Sequence, residues 1–470
     1  MTTVLIGALR DAVGVTNVLT DGDLSAYELD WRKRWRGKAL AVVRPGNTHE
    51  AAALVRICAA HGVGVVAQGG NTGLVGGGVP DASGTQVLLS LTRMNRVRDI
   101  DAANATMTLE AGCVLKAAQD AAADQGLLFP LSLAAEGSCT IGGNLATNAG
   151  GTQVLRFGNA RDLCLGLEVV TAQGDVWSGL TGLRKDNTGY DLRDLMIGSE
   201  GTLGIITAAT MKLHPLPAAQ LTAFAACRDL SSCVALLQLT RRHLGASLTG
   251  FEVMGAPALE LVARHFPQLP RPLPAASWTV LLECADAESE AIARPRFEAL
   301  LQAALEDGCI GDAVLAESMA QARALWHVRE SIPLAQAMEG PNIKHDIALP
   351  VSAIADFVQH TDAALQAAFP GSRVINFGHL GDGNLHYNLQ AAAGVAAQDF
   401  LDAHEDAVNR IVYDAVTARD GSISAEHGIG ALKRDELGQR KSPVALAMMR
   451  AIKQALDPKG TLNPGRVLPL

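Results

Sequence analysis

The sequence predicts a multidomain enzyme of mixed helix and strand, rich in specialised loops. Three observations carry this. The chain has 470 residues, enough for two or three domains with substantial cores. Hydrophobic residues make up 48% while aromatics are only 4% and glycines number 47, the balance of a backbone-rich α/β enzyme and not of a disordered chain. From residue 39 to about 215, short β-like runs alternate with alanine-rich helices and glycine-rich loops.

The elements follow in order. Residues 1–38 read as helical and end in the basic, exposed "ELDWRKRWRGKA". "LAVVRP" reads as a strand. "THEAAALVRICAAHG" reads as a helix with Thr48 as N-cap and Gly62 at its end. "VGVVAQ", "QVLLSLT" and "TMTLEAG" are strands, and 114–125 is a helix. The two prolines of "HPLPAAQ" place a boundary near 215. Beyond it, "SWTVLLEC", "VINFGHL" and "NLHYNL" are strands and "RPRFEALLQAALEDG" a helix, while "PALELVARHFPQLPRPLPAAS" reads as loop. "DPKGTLNPGRVLP" is turn-rich and folds back onto an earlier domain in this reading.

The formal charge of −9 argues against a nucleic-acid partner. "MTTVLIGALRDAVG" makes a poor signal peptide. The charge-poor stretches near 57–80 and 137–155 are broken by Gly, Asn, Gln and Thr, so neither makes a good transmembrane helix. Eight cysteines form no CxxC pair, which argues against a disulfide scaffold or an iron–sulfur ligand set. The expected compartment is the cytoplasm.

Three glycine-rich segments stand out: "VAQGGNTGLVGGGVP" at 66–80, "AAEGSCTIGGNLATNAGG" at 134–151 and "GSEGTLGIIT" at 198–207. The first lacks the helix and the downstream acid of a Rossmann fingerprint, so any phosphate would be held by a nest of backbone amides. Alone, it is equally well a plain loop with glycines at positive φ. Together, three such segments suit a long phosphorylated cofactor.

In "INFGHLGDGNLHYNL" two histidines flank Gly-Asp-Gly. If Asp382-Gly383 closes a two-residue hairpin, His379 opposes His386 with Cβ atoms about 4.5–5.5 Å apart. Two imidazoles at that spacing can grip a metal ion, and Asn388 returns to the same face. "SAEHGIG" adds Glu426 and His427, and a His, His, Glu set leaves coordination positions open. Ordinary hydrogen-bonding histidines in a sheet would look the same, and so would a non-haem iron site. Arg329 and Lys344 lie upstream, where solvated surface charge is the default.

"GGNTGLVGG", "GGNLATNAGG", "RFGNARDLCLGLEVV", "KDNTGYDLRDLMIGSEGTLGIIT", "GHLGDGNLH", "AEHGIG" and the terminal "NPG" occur in one order along most of the chain. In these the sequence resembles the FAD-linked D-2-hydroxyacid dehydrogenases of the vanillyl-alcohol oxidase and p-cresol methylhydroxylase flavoprotein superfamily. The resemblance implies an α+β fold: a two-part FAD-binding domain over 1–215, a substrate and metal domain over 216–445 with an antiparallel sheet covered by helices, and a segment over 446–470 returning to the FAD domain. It implies FAD contacts at Gly69, Gly70, Asn71, Thr72, Gly73 and Leu74, and also at Ser138, Gly142, Asn144, Thr147, Gly201, Ile206 and Asn463. Asn71 stands where covalent relatives often carry histidine, so dissociable FAD is expected.

The resemblance further implies a divalent metal, zinc by expectation, on His379, His386 and Glu426, with His427 as base. It makes Arg329, Lys344 and Asn388 substrate-binding, the first two on substrate carboxylates. Pro333 departs from the hydroxyl residue of some relatives. The implied reaction is oxidation of a D-2-hydroxyacid to the 2-oxo acid, with D-2-hydroxyglutarate first and D-lactate or D-malate as alternatives. The implied partner is an electron acceptor such as an electron-transfer flavoprotein or a quinone, and a homodimer is compatible with it.

Overall fold

The computed structural model describes residues 2–469. The chain forms two compact units. Unit 1 combines Met1–Gly150, Gly158–Leu216 and Glu426–Leu470, and unit 2 combines Gly151–Phe157 and Pro217–Ala425. Among the described residues no helix is long and apolar enough to cross a membrane.

Unit 1 opens with a helix over Thr2–Val13, which buries Leu5, Leu9 and Val13 at four-residue spacing. The helical expectation for 1–38 holds there, in a 3-10 turn at Val15–Asn17 and at Ser25–Glu28, and fails elsewhere, including all of 29–38. Gly14 at φ +85° and Gly22 at φ +84° break the helix, and β1 (Val18–Leu19) intervenes. With β2 (Ala39–Val43), β3 (Val65–Gln68) and β4 (Gln86–Ser90) it forms a sheet of order β1-β2-β4-β3. β2 and β3 run parallel to β4, which requires a crossover, supplied by the helix Thr48–Ala60. Its N-cap is Asn47, not Thr48. Asn47 Oδ1 accepts the Glu50 N–H at 3.0 Å, and the Thr48 hydroxyl donates to Glu168 instead.

A second, antiparallel sheet contains β5 (Val97–Asp101) and β6 (Thr106–Glu110). After the short β7 (Leu127–Leu128) come β8 (Cys164–Val170), β9 (Val176–Gly179) and β10 (Ile205–Lys212), giving the order β5-β6-β10-β8-β9. β11 (His214–Pro215) pairs with β7. The last stretch of unit 1 returns to β3: the Val65 N–H donates to the Thr461 carbonyl and the Asn463 N–H to the Val65 carbonyl, both at 2.8 Å.

Unit 2 is one seven-stranded antiparallel sheet. Its strands are β12 (Ala219–Cys227), β13 (Leu248–Gly255), β14 (Trp278–Asp286), β15 (Asp312–Leu315), β16 (Asp346–Ala348), β17 (Arg373–Gly378) and β18 (Asn384–Gln390). Their order is β15-β12-β14-β13-β17-β18-β16. One face packs Ala223, Val253, Leu282 and Tyr387 against helices Leu230–Leu244, Glu290–Glu306, Ile354–Ala368 and Ala397–Thr417. The other packs Phe224, Met254, Leu281 and Phe377 against helices Ala256–His265, Met319–Glu330 and Ile332–Met338. The first of those three helices overturns the loop expected over 257–265, while 266–277 is loop as expected. Ala258, Leu261 and Val262 supply a buried stripe, and Pro257 sits in the first turn, where its missing N–H costs nothing.

Candidate active site

In unit 1 the glycine-rich segments pack on one another. A Cβ on Gly69 would lie 2.2 Å from the Thr140 hydroxyl, and one on Gly70 would lie 1.9 Å from the Ser138 carbonyl. Only glycine allows this approach. Asn71 takes a positive φ of 53° and spends its amide on the carbonyls of Ala26 (3.0 Å) and Leu29 (2.9 Å). The loop then opens: nothing lies within 4 Å of a Cβ built on Gly73. Among the described residues no acceptor takes the backbone N–H groups of residues 70–74, which include Thr72 and Leu74. A row of unspent amides in a loop of small residues is an anion cradle, and the pyrophosphate of FAD fits it. The buried Thr140 hydroxyl beside it also has no protein partner.

The other residues expected around FAD divide into two kinds. Gly142 serves packing, since a Cβ there would meet that of Ala111 at 2.5 Å, and Ile206 is buried in β10. Asn144 bonds the Cys139 sulfur at 3.6 Å, and Thr147 donates to the Gly143 carbonyl, while Ser138 is exposed. Asn463, at φ +43°, ties two loops together by donating to the carbonyls of Gly77 (2.9 Å) and Glu200 (2.7 Å).

Glu200 was not singled out by sequence reasoning. Its side chain is buried, and it accepts the N–H of Ile429 at 2.7 Å and of Gly430 at 2.8 Å. It therefore anchors the turn that directly follows His427. Burial pushes its carboxyl up, against the opposing pull of those two amides and of Lys433. Gly201 beside it has φ +70°, and a Cβ on Gly428 would meet Glu200 Oε1 at 2.8 Å.

In unit 2 the hairpin differs from expectation. Phe377, not His379, is paired with His386. Gly378 takes φ +152°, and a Cβ there would lie 2.6 Å from the Asn384 carbonyl, so the strand ends at this glycine. Residues 379–383 then form a five-residue turn, closed by Asn384 N–H to the His379 carbonyl at 3.1 Å and by the Asp382 carboxylate, which accepts the same N–H. The turn folds His379 back, and the two imidazoles still meet, with centroids 5.5 Å apart at 79°. Each offers a ring nitrogen within 4.8 Å of the other's.

The face of the sheet that carries them is defined by register. Asp346 and Phe377 both pair with His386, Ile375 pairs with Asn388, and the Ile343–Leu389 bridge sets Lys344 opposite Asn388. Paired residues share a face. The structure therefore brings His386, Asn388, Lys344 and Asp346 together, beside Phe377, over which Arg329 stacks at 4.8 Å. The Asn388 amide is engaged locally, donating to Gln336 at 3.0 Å and accepting the His345 N–H at 3.2 Å.

Beneath lies Glu252, also missed in the sequence. It is 1% exposed. Oε1 meets His379 Nδ1 at 2.6 Å, and Oε2 accepts from Arg329 Nε at 2.9 Å and Nη2 at 2.8 Å. Burial alone would raise its pKa, but the charges of His379 and Arg329 outweigh burial and hold the carboxyl below its ordinary range. Glu283, on the same face, bonds Gln220, Trp326 and Thr249, and with these uncharged donors burial wins and its pKa is raised. With Nδ1 held by Glu252, Nε2 is the other ring nitrogen of His379. His386 has Nδ1 3.9 Å from Asp346 Oδ1. Two imidazoles whose ring nitrogens come this close could, once deprotonated, ligate a divalent transition metal. Ala425, the last residue of unit 2, donates to the Asp346 carbonyl at 3.2 Å, and Glu426 and His427 follow it directly.

Comparison with known proteins shows the family and the fold. Residues 39–179 match the family described as "FAD binding domain", and residues 216–467 match "FAD linked oxidases, C-terminal domain". The D-2-hydroxyglutarate dehydrogenase of Xanthomonas citri pv. viticola is 41% identical over 470 residues, covering 99% of this chain and 97% of that protein. The protein named "D-2-hydroxyglutarate dehydrogenase, mitochondrial" in Arabidopsis thaliana is 38% identical over 466 residues, covering 99% and 81%. A substrate-bound p-cresol methylhydroxylase structure superposes with a TM-score of 0.77 at 17% identity, over 99% of this chain and 96% of that one, which shows a shared fold.

Proposed function

This chain belongs to the FAD-linked D-2-hydroxyacid dehydrogenase family and is an FAD-linked oxidoreductase, from which we propose that it oxidises D-2-hydroxyglutarate to 2-oxoglutarate with the help of a divalent cation. One observation carries the finer reading: two histidines, an arginine and a lysine meet on or beside one face of the unit 2 sheet. When bound, FAD supplies the acceptor for the C2 hydride and a divalent cation, zinc in this reading, supplies a Lewis acid. The chain's own residues do the rest. His379, His386 and Glu426 hold the cation, and Glu426 follows a residue anchored to the carbonyl of Asp346, the partner of His386. His427 takes the hydroxyl proton. Arg329 and Lys344 neutralise substrate carboxylates, and Asn388, held by Gln336 and His345, is the third substrate-binding residue.

Oxidation of the C2 alcohol releases two electrons and two protons to be passed on, so reduced FAD needs a separate acceptor, an electron-transfer flavoprotein or a quinone. We assign the chain to the cytoplasm, where its eight unpaired thiols stay reduced. Dissociable FAD belongs to the same reading, since Asn71 offers an amide already bonded to Ala26 and Leu29 where a histidine would be needed for attachment.

The test is a panel of D-2-hydroxyacids with an artificial dye acceptor. Hydroxyglutarate should give the highest kcat/KM. Lys344→Ala should lose about 1.5–3 kcal/mol of transition-state stabilisation for hydroxyglutarate, the range for a hydrogen bond to a charged group, and clearly less for D-lactate. Lysine is the better position for this test because Arg329 also compensates buried Glu252, so removing it would unsettle the sheet. Equal losses on both substrates would make D-lactate or D-malate the better substrate assignment.

A further inference from the structure

The carboxylate of Glu252 is shared between two functional side chains, His379 on one oxygen and Arg329 on the other. It sits in β13, between Phe251 and Val253, which point into one core, while Glu252 and Met254 point to the opposite face. A buried carboxylate in a strand buried throughout is expensive unless charged partners compensate it. Here both partners are supplied, and both belong to the proposed site. Building on the function proposed above, we propose that Glu252 is a positioning residue for metal binding: it holds His379 by Nδ1 so that Nε2 is the ligating nitrogen, and through Arg329 it fixes the distance between the cation and the substrate's carboxylate partner.

The physical argument has three parts. An imidazole that donates Nδ1–H to a carboxylate keeps its lone pair on Nε2 and becomes a stronger ligand. His379 lies in a five-residue turn and not in a strand, so the ladder does not set its ring orientation, and the contact to Glu252 at 2.6 Å is one that holds it. Arg329 is held at Nε and Nη2 by Oε2 and from its face by Phe377, whose own ring lies 4.9 Å from that of His386. One carboxylate therefore places a ligand and a substrate cation at once.

The experiment measures zinc affinity of the FAD-loaded full chain by competition with a chromophoric chelator, for wild type, Glu252→Gln and His386→Ala. Cobalt absorption spectra, FAD content and melting temperature are recorded alongside. Glu252→Gln should bind zinc about 10–100-fold more weakly, the usual effect of losing a carboxylate behind a ligating histidine. Its cobalt ligand-field bands should shift, while its FAD content stays at the wild-type level. Should the single variant fold poorly because Arg329 is left uncompensated, Glu252→Gln with Arg329→Met removes both charges together and should show the same weakening. Zinc affinity within twofold of wild type in either folded variant overturns the role of Glu252. If His386→Ala leaves zinc affinity unchanged, the metal site itself is wrong and this inference falls with it.

Discussion

Two buried glutamates, Glu200 and Glu252, are both pushed up by burial, yet their pKa values end shifted in opposite directions because of what each touches. Glu200 faces backbone amides and is pushed toward the protonated acid, while Glu252 faces a guanidinium and an imidazole and is held as a carboxylate. Glu200 secures the turn at Ile429 and Gly430, which fixes the backbone immediately after His427. The proposed base should therefore be separable from the proposed metal ligands. His427→Ala is expected to keep zinc stoichiometry near wild type while slowing flavin reduction by about 10²–10⁴-fold, measured by stopped-flow absorbance with metal analysis of the same sample. A parallel fall in metal content would make His427 a ligand.

At the scale of elements, the unit 2 face that carries the site is braced by Glu339, at the end of helix Ile332–Met338. It accepts from His265 at 2.7 Å, from Arg264 at 2.9 Å and from both terminal nitrogens of Arg373 at 3.2 Å, joining two helices to the start of β17. Led by the bond to His265, these partners lower its pKa from 4.5 to about 2. A depressed carboxyl pKa stabilises the fold above the unfolded value and loses that contribution as pH falls through the folded one. Melting temperature should therefore drop between pH 4.5 and about 2 through this group. Glu339→Gln should melt lower at neutral pH and show a flatter decline over that window. An unchanged acid limb in the variant would assign the decline to other carboxylates.

Across the whole molecule, what was legible in the sequence was what backbone geometry demands. The glycine segments could be seen because only glycine permits the approaches of Gly69 and Gly70, and the resemblance rested on such positions. Strands were visible where alternation was strong, as in "NLHYNLQ", whose odd and even positions face different sides. The hairpin register was misjudged because Asp-Gly signals a two-residue turn, whereas Gly378 ends the strand early and a longer turn follows. Glu252 and Glu200 were missed because their partners come from distant segments. A lone acid in "LTGFEVMG" was the available signal, since a charge in a strand buried throughout needs a reason. Dissociable FAD is checked at this scale. Acid precipitation should release yellow flavin into the supernatant, and flavin remaining with the washed pellet would mean a covalent link.

Unit 1 closes only when its last stretch arrives, and that has a consequence for synthesis. The Asn463 bridge to Gly77 and Glu200, the pairing of Thr461 and Asn463 with Val65, and the Glu200 anchor of Ile429 and Gly430 all need residues after 425. On the ribosome, Pro217–Ala425 must be made first, about 10–40 s of translation at roughly 5–20 residues per second. Unit 2 has its whole sheet by then and can fold, while the glycine loops of unit 1 wait half-assembled. The nascent chain is thus a protein that can assemble its substrate sheet before it can retain its flavin, and chaperone dependence should concentrate in that interval. Slowing elongation ahead of residue 426 should lengthen it and lower the yield of flavin-loaded protein more than slowing elongation within the first stretch.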